Sequence, residues 1–195
     1  MNIGSDIDRR DLLAPLVPNP EDYLIVTGLA GPARDAAALT NDGDNTFTMA
    51  GCMGASVPMG LGMALAAASR QIMVITGDGE LLMNIGSLAC VATMQPSNLS
   101  IVCIDNGCHG ETGGQAGHTS YRTDIEQIAR GAGLTSTMLL SESSEISRAS
   151  EFLRESPSPR FLLCRVTDGS PTAFKRNLDP LLCRERFKAY VAETS

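Results

Sequence analysis

The chain has 195 residues, which suits one domain of ordinary size. Hydrophobic residues make up 43% and charged residues 19%, a balance that supports a packed core and excludes wholesale disorder. The formal net charge is −7 and aromatics are 4% with no Trp. The basic excess of a general nucleic-acid or anionic-membrane binder is therefore absent, and so is a base-stacking platform.

The opening stretch MNIGSDIDRRD is charged and lacks the apolar segment of a signal peptide. Residues 7–17 carry Leu12, Leu13 and Leu16 at helical spacing behind Ser5 and Asp6 as caps, and Pro15, Pro18 and Pro20 end that helix. Leu24-Ile25-Val26-Thr27 reads as a strand buried on both faces. Residues 28–31 turn the chain, and Pro32 opens a helix over 33–39. A polar turn at 41–45 leads to a strand at 46–49. A helix of small residues follows at 55–69. Its core, residues 57–68, is the longest nearly apolar run, but it has twelve residues and contains Pro58, Gly60 and Gly62. A membrane span needs about 20, so this segment reads as a buried helix.

A strand at 72–76, a turn at Gly77-Asp78-Gly79, a helix at 81–94 and a strand at 99–104 come next. Residues 105–122 form a Gly-rich loop, and Thr123-Asp124-Ile125-Glu126 is a capping box opening a helix that ends near Gly131 or Gly133. Strands at 135–139 and 161–166 and helices at 144–155 and 180–192 complete the pattern. The alternation predicts an α/β fold: a doubly wound, mostly parallel six-stranded sheet with helices on both faces, as a single domain over 1–195. The six cysteines, Cys52, Cys90, Cys103, Cys108, Cys164 and Cys183, form no Cys-x-x-Cys pair and read as reduced thiols of a cytoplasmic protein.

Ligands on such sheets bind beyond the carboxyl ends of the strands. Four Gly-rich segments follow predicted strands there: 28–31, 50–54, 77–80 and 105–119. Asp78 and Asn106 lie 28 positions apart, one helix and one strand, which returns the chain to the same sheet edge. A carboxylate, an amide oxygen and a backbone carbonyl suit magnesium, which takes six oxygens, and a helix N-terminus beside them suits phosphate. Gly60-x-Gly62 lacks the third glycine and the preceding strand of a dinucleotide fingerprint.

Gly77-Asp78-Gly79 followed by Asp105-Asn106 resembles the diphosphate-binding motif of thiamine diphosphate enzymes. Gly51-Cys52-Met53-Gly54, leading into 56–66, resembles the segment upstream of that motif. With Gly113-Gly114-Gln115, His118-Thr119-Ser120 and Arg186-Phe187, the pattern is similar to sulfopyruvate decarboxylase beta subunits and phosphonopyruvate decarboxylases from Leu24 to the end. The resemblance implies Mg2+ held by the side chains of Asp78 and Asn106 and the backbone carbonyl of Cys108. It implies N–H groups of Gly79 and Glu80 on the diphosphate, with Thr27 and Gly28 bordering that end. Met53 props the cofactor into its bent shape and the Gly51 carbonyl accepts from its aminopyrimidine. Cys52, Gly77, His109 and Gly110 complete the cofactor side.

The resemblance also implies what is missing. Such enzymes need a second, pyrimidine-binding domain that supplies an activating glutamate, and this chain has room for the diphosphate half alone. A pyrimidine-domain (alpha) partner subunit follows, in a heterotetramer acting on a small 2-oxo acid. Substrate contacts fall to His109, Glu111, Thr112, Gln115 and His118, with His109 able to shuttle protons near neutral pH. Glu111 stands where those relatives carry Ser; a carboxylate beside a sulfonate or phosphonate would repel it, and the alternatives are that Glu111 acts as acid or base or points away. Cys108-His109 and a longer 28–35 segment are further departures. The alternatives are a carboligase built from the same parts and a non-catalytic cofactor-binding module. A ferredoxin-linked 2-oxo acid oxidoreductase fits less well, because the cysteines lack iron–sulfur spacing. A transketolase-type half also fits less well, because Met83-Asn84-Ile85-Gly86 looks like the decarboxylase branch.

Overall fold

A computed structural model describes residues 4–194, so the first three residues of the charged N-terminal stretch lie outside it. The strands are β1 (Tyr23–Thr27), β2 (Thr46–Thr48), β3 (Gln71–Gly77), β4 (Leu99–Asp105), a small ribbon of β5 (Cys108–His109) with β6 (Gln115–Ala116), β7 (Ser136–Leu140) and β8 (Arg160–Arg165). The main sheet has the order β2-β1-β3-β4-β8-β7, and every pair in it is parallel. The chain reverses its direction of travel across the sheet between β1 and β3, which makes that point the switch where a doubly wound fold opens a crevice.

The helices are α1 (Leu13–Leu16), α2 (Ala30–Thr40), α3 (Ser56–Ala66), α4 (Asp78–Met83), α5 (Ser87–Met94), α6 (Ile125–Gly131), α7 (Ile146–Glu155) and α8 (Pro180–Glu193). Strand residues alternate between two cores. Leu24, Val26, Ile72, Val74, Ile101 and Phe161 pack under α3, α5, α6 and α8. Ile25, Met73, Ile75, Val102 and Leu162 pack under α1, α2 and α7. Burial on both faces is why these strands read as continuous apolar runs. Among the described residues no helix is long and apolar enough to cross a membrane.

Several boundaries depart from expectation for local reasons. The helix expected at 7–17 is a 3-10 turn, Arg9–Asp11, followed by the single turn of α1, and Asp8 caps it by accepting from the Arg10 N–H. Ser5 and Asp6 are not caps. Ser5 Oγ donates to the Arg165 carbonyl at 2.8 Å, and the Asp6 carboxylate accepts from the Ser143 N–H at 2.7 Å, so both tie the N-terminal segment to the far side of the sheet. The capping oxygen at α6 belongs to Asp124, not Thr123, and accepts from the Gln127 N–H. The helix expected at 55–69 stops at Ala66, where the buried Asn98 amide donates to the carbonyls of Ala67 and Arg70 at 3.1 and 2.8 Å. The helix expected at 81–94 breaks at Asn84 into α4 and α5. At the far edge Phe187 packs edge-on against Phe47 at 5.5 Å and Arg186 pairs with Asp42 at 2.8 Å, so α8 covers the exposed edge strand β2.

Gly60 shows why α3 is rich in small residues. A Cβ there would sit 2.2 Å from Val74 Cγ2 on β3, so the helix backbone lies directly on the strand. Gly60→Ala is expected to destabilise the chain by about 1–3 kcal/mol through overpacking. Denaturant unfolding measures it, and adding Val74→Ala, which removes the clashing methyl, should recover part of the loss.

Candidate functional site

A cavity of about 500 Å3 opens beyond the carboxyl ends of β1, β3 and β4. Its wall takes Leu29 to Pro32 from the segment after β1, Gly77 to Glu80 from that after β3, and Asn106 with Cys108 to Thr112 from that after β4. Met53, Arg9, Arg34 and a strap from Asp168 to Pro171 close the sides. Of the residues singled out in the sequence, Met53, Gly77, Asp78, Gly79, Glu80, Asn106, Cys108, His109, Gly110, Glu111 and Thr112 line it together. Thr27, Gly28, Gly51, Cys52, Gln115 and His118 are outside the lining.

Asp78 and Asp105 form its electrostatic centre. Both are buried, at 3% and 1% exposure. The Thr119 hydroxyl lies between them, 2.7 Å from Asp105 Oδ1 and 3.2 Å from Asp78 Oδ2. Burial, then the charge of Asp105, pushes the Asp78 carboxyl up to about 7, against the opposing pull of the Gly79 N–H and the Thr119 hydroxyl. Burial raises Asp105 as well, and its Oδ2 is buried with no hydrogen-bond partner. Among the described residues neither carboxylate makes an ion pair. Two buried carboxylates, one of them with an orphaned oxygen, concentrate negative charge of the kind a divalent cation offsets. The neighbouring donors are the Asn106 amide and backbone carbonyls, hard oxygens of the kind magnesium takes. No group of three or more His, Cys, Asp or Glu side chains is placed to hold a metal among the described residues.

Glu80 organises the opposite wall. Its carboxylate accepts from the Leu29 N–H at 3.1 Å and the Ser56 hydroxyl at 2.9 Å, joining the loop after β1 and the start of α3 to α4. Burial raises its pKa, and the hydrogen bond from Ser56 is the first of the contacts that oppose the rise. Gly28 lies beneath it: a Cβ on Gly28 would fall 1.5 Å from Glu80 Oε2. Gly28 thus serves the site from below, by leaving room. Gly28→Ala is expected to expel the Glu80 carboxylate and leave two donors unpaired. The cost is about 1–3 kcal/mol for each buried group left unsatisfied, read as a fall in the thermal midpoint.

The segment before α3 is also held indirectly. Gly51 and Gly54 both have φ of +81°, and the Asn84 amide donates to the Gly54 carbonyl at 3.1 Å. That bond uses the break between α4 and α5 and presents Met53 to the cavity, although Met53 is 44% exposed. Thr27 is a buried strand residue whose hydroxyl lies 3.3 Å from that of Thr48.

The Gly-rich segment after β4 is an antiparallel ribbon and not a loop, with Cys108 opposite Ala116 and His109 opposite Gln115. Gly113 and Gly114, at φ +118° and +73°, make its tip. The His109 ring lies about 3 Å from where a Cβ on Gly79 would stand, so it packs over the first turn of α4. Gln115 fastens the tip by donating to the Thr112 carbonyl at 2.8 Å, and exposed His118 sits on a 3-10 turn. The next residue, Thr119, is the one that reaches the carboxylates. The Cys108 thiol donates to Asp168 Oδ1 at 2.9 Å. Burial, then Asp168, pushes that thiol up to about 12, which removes it as a nucleophile.

Sequence reading missed the roles of Asp105, Thr119 and Ser56, and it missed the side wall of Arg9, Arg34, Asp35 and the 168–171 strap. Asp105 was visible as part of Asp105-Asn106. Arg9 and Asp35 carry no motif, yet Arg9 donates to Asp35 Oδ2 from Nε and Nη2 at 2.9 and 2.6 Å.

A doubly wound parallel sheet with a glycine-walled, carboxylate-bearing cavity at its switch point defines a cofactor-binding α/β protein. Residues 33–164 match the family described as thiamine pyrophosphate enzyme, C-terminal TPP binding domain, and the chain belongs to that family. It is 39% identical over 127 residues to the sulfopyruvate decarboxylase subunit beta of Methanocaldococcus jannaschii, covering 65% of this chain and 66% of that one. It is 33% identical over 181 residues to the phosphonopyruvate decarboxylase of Streptomyces viridochromogenes, covering 92% of this chain and 44% of that enzyme. The chain thus spans less than half the length of the Streptomyces relative. A solved structure of a candidate thiamin diphosphate-dependent enzyme from Mycobacterium smegmatis superposes with a TM-score of 0.68 at 18% identity, over 83% of this chain and 32% of that one, which shows the shared fold.

Proposed function

We propose that the chain, as one diphosphate-binding domain over 1–195, is the small (beta) subunit of a cytoplasmic split 2-oxo acid decarboxylase. The enzyme depends on thiamine diphosphate and Mg2+ and works only with a pyrimidine-domain partner, in a heterotetramer. The observation that carries the reading is the buried Asp78–Thr119–Asp105 centre beside Asn106, two carboxylates that no ion pair offsets among the described residues, within a matched cofactor-binding family.

Thiamine diphosphate, when bound, would supply a nucleophilic carbon and an electron sink for the bonding pair left behind as carbon dioxide departs. Asp78, Asn106 and the Cys108 carbonyl hold the magnesium, and the N–H groups of Gly79 and Glu80 face the diphosphate. Glu80 keeps the Leu29 and Ser56 segments in place around it. Met53 supports the cofactor body, and the His109 ring, packed over Gly79, borders the diphosphate side. The strap at 168–171 and the ribbon restrict water.

A partner also fits the surface. Met53, Met59, Leu65, Met83 and Met94, from the segment leading into α3 through α5, are large apolar side chains left 37–66% exposed. Exposed apolar side chains of this size are surface that a partner subunit would cover. Native mass spectrometry of the chain captured from its own cells in magnesium buffer tests the reading. A second subunit with thiamine diphosphate at the joint mass, and carbon dioxide release from a 2-oxo acid, is expected. A lone chain or self-oligomer that takes no cofactor would overturn it.

A further inference from the structure

The cavity's guanidinium groups are both committed. Arg9 is fixed: its side chain is 5% exposed, and Asp35, 2% exposed, takes its Nε and Nη2 edge. Arg34 is held differently. Its Nη2 lies 3.1 Å from Glu111 Oε1 and 3.4 Å from Oε2, and the two side chains are 41% and 45% exposed. Asp78, Glu80 and Asp168 add further carboxylates to the lining. A 2-oxo acid brings one carboxylate of its own. A sulfonate or phosphonate tail brings a second anion, which needs a cation not already neutralised. Of the guanidinium groups that line the cavity Arg34 is the more exposed candidate, and Glu111 occupies it; Arg176 feels both charges from outside the lining, with its Nη1 buried and without a hydrogen-bond partner.

We infer that Glu111 determines specificity by holding Arg34, and that this site therefore takes 2-oxo acids with an uncharged tail over those with a sulfonate or phosphonate tail. The inference rests on the decarboxylase reading for the identity of the substrate, but the charge selection belongs to the wall itself. Glu111 acts through Arg34 and is a positioning residue. A half-exposed ion pair adds little to folding, so its removal leaves the chain intact.

The test compares wild type, Glu111→Gln and the double variant Glu111→Gln/Arg34→Met, each as the complex recovered with the full chain and loaded with thiamine diphosphate and Mg2+. Turnover of 2-oxobutanoate and 3-sulfopyruvate gives the kcat/KM ratio. Calorimetric binding of the unreactive pair butanoate and 3-sulfopropanoate gives the same ratio without chemistry. Wild type should favour the singly charged member of each pair. Glu111→Gln should shift the ratio toward the dianion roughly tenfold, the effect of removing one partly screened charge at contact distance. The double variant should cancel the shift. A wild type that favours the dianion, a ratio unchanged in Glu111→Gln, or a gain that persists without Arg34 would each overturn the inference. So would failure of both analogues to bind. If neither 2-oxo acid turns over while the analogue ratio shifts as expected, the decarboxylase reading fails and the charge selection stands.

Discussion

Asp78→Asn is expected to make the cofactor-free chain more stable while it abolishes cofactor capture. The two effects share one cause. Asp78 is buried beside Asp105, and its pKa stands at about 7 against an ordinary 3.8. The folded state therefore holds a proton that the unfolded state has lost between those two values. The contribution of this group to stability is fully present below pH 3.8 and drains away as pH rises toward 7. At pH 8 the ionised carboxylate costs up to about 4 kcal/mol relative to a neutral side chain, or on the order of 10 °C in the melting temperature. Asparagine has the same shape and no charge, so the variant should melt higher than wild type at pH 8 and similarly at acid pH. Thiamine diphosphate with Mg2+ should reverse the order. Only wild type offers the anionic oxygen, so only wild type should gain stability on loading, and it should gain more at pH 8 than at pH 6 because binding at low pH must first expel the proton. Scanning calorimetry across pH, with and without cofactor and metal, reads all of this. A variant that melts lower than wild type without cofactor, or that still gains stability from magnesium and cofactor, would contradict it.

The parts of the molecule that were legible in the sequence are those with a local signature. The run at 72–76 is apolar because β3 is buried on both faces, and a buried strand must turn at its end, so Gly77-Asp78-Gly79 could be placed at the sheet edge without any contact being known. The same logic placed Asn106 beyond β4. Residues whose role depends on a distant partner left no such mark. Ser5 and Asp6 look like caps because such side chains accept from nearby N–H groups; Ser5 Oγ does accept from the Ile7 N–H at 3.1 Å, but no helix starts there, and the two side chains also bind Arg165 and Ser143 across the sheet. The ribbon at 108–116 has strands of two residues, too short for any alternation to register. The missing Cβ of Gly28 makes room for Glu80, a contact 52 positions away in the sequence that no local pattern marks. Residue type alone favours His118 over Thr119 as the group with chemistry to offer. The fold turns the hydroxyl inward and the imidazole out.

Asp35→Ala is expected to be the most damaging single change to the wall that the sequence hid. Asp35 joins three parts of the chain. Its Oδ2 accepts from Arg9 Nε and Nη2, and its Oδ1 accepts from the Thr172 N–H at 2.9 Å. Arg9 comes from the segment before β1 and lies over Gly31, where a Cβ would stand 2.3 Å from its Nη2. Thr172 ends the strap that lines the cavity from 168 to 171. Both ends of the chain are thus fastened to α2 through one carboxylate. Removing it leaves a guanidinium 5% exposed with no counter-charge, a loss of about 3–5 kcal/mol, or on the order of 10 °C in a chain of this size. A second variant separates charge from architecture. Arg9→Met with Asp35→Leu replaces the pair by apolar side chains of similar bulk, and such replacements are commonly neutral or stabilising, so most of the lost stability should return. The Thr172 N–H stays without its acceptor in both variants. Hydrogen exchange in the strap should therefore remain fast in the double variant even though the chain has regained its melting temperature. Full protection of the strap in the double variant would show that apolar packing at these two positions, and not the Asp35 carboxylate, is enough to hold that wall of the cavity.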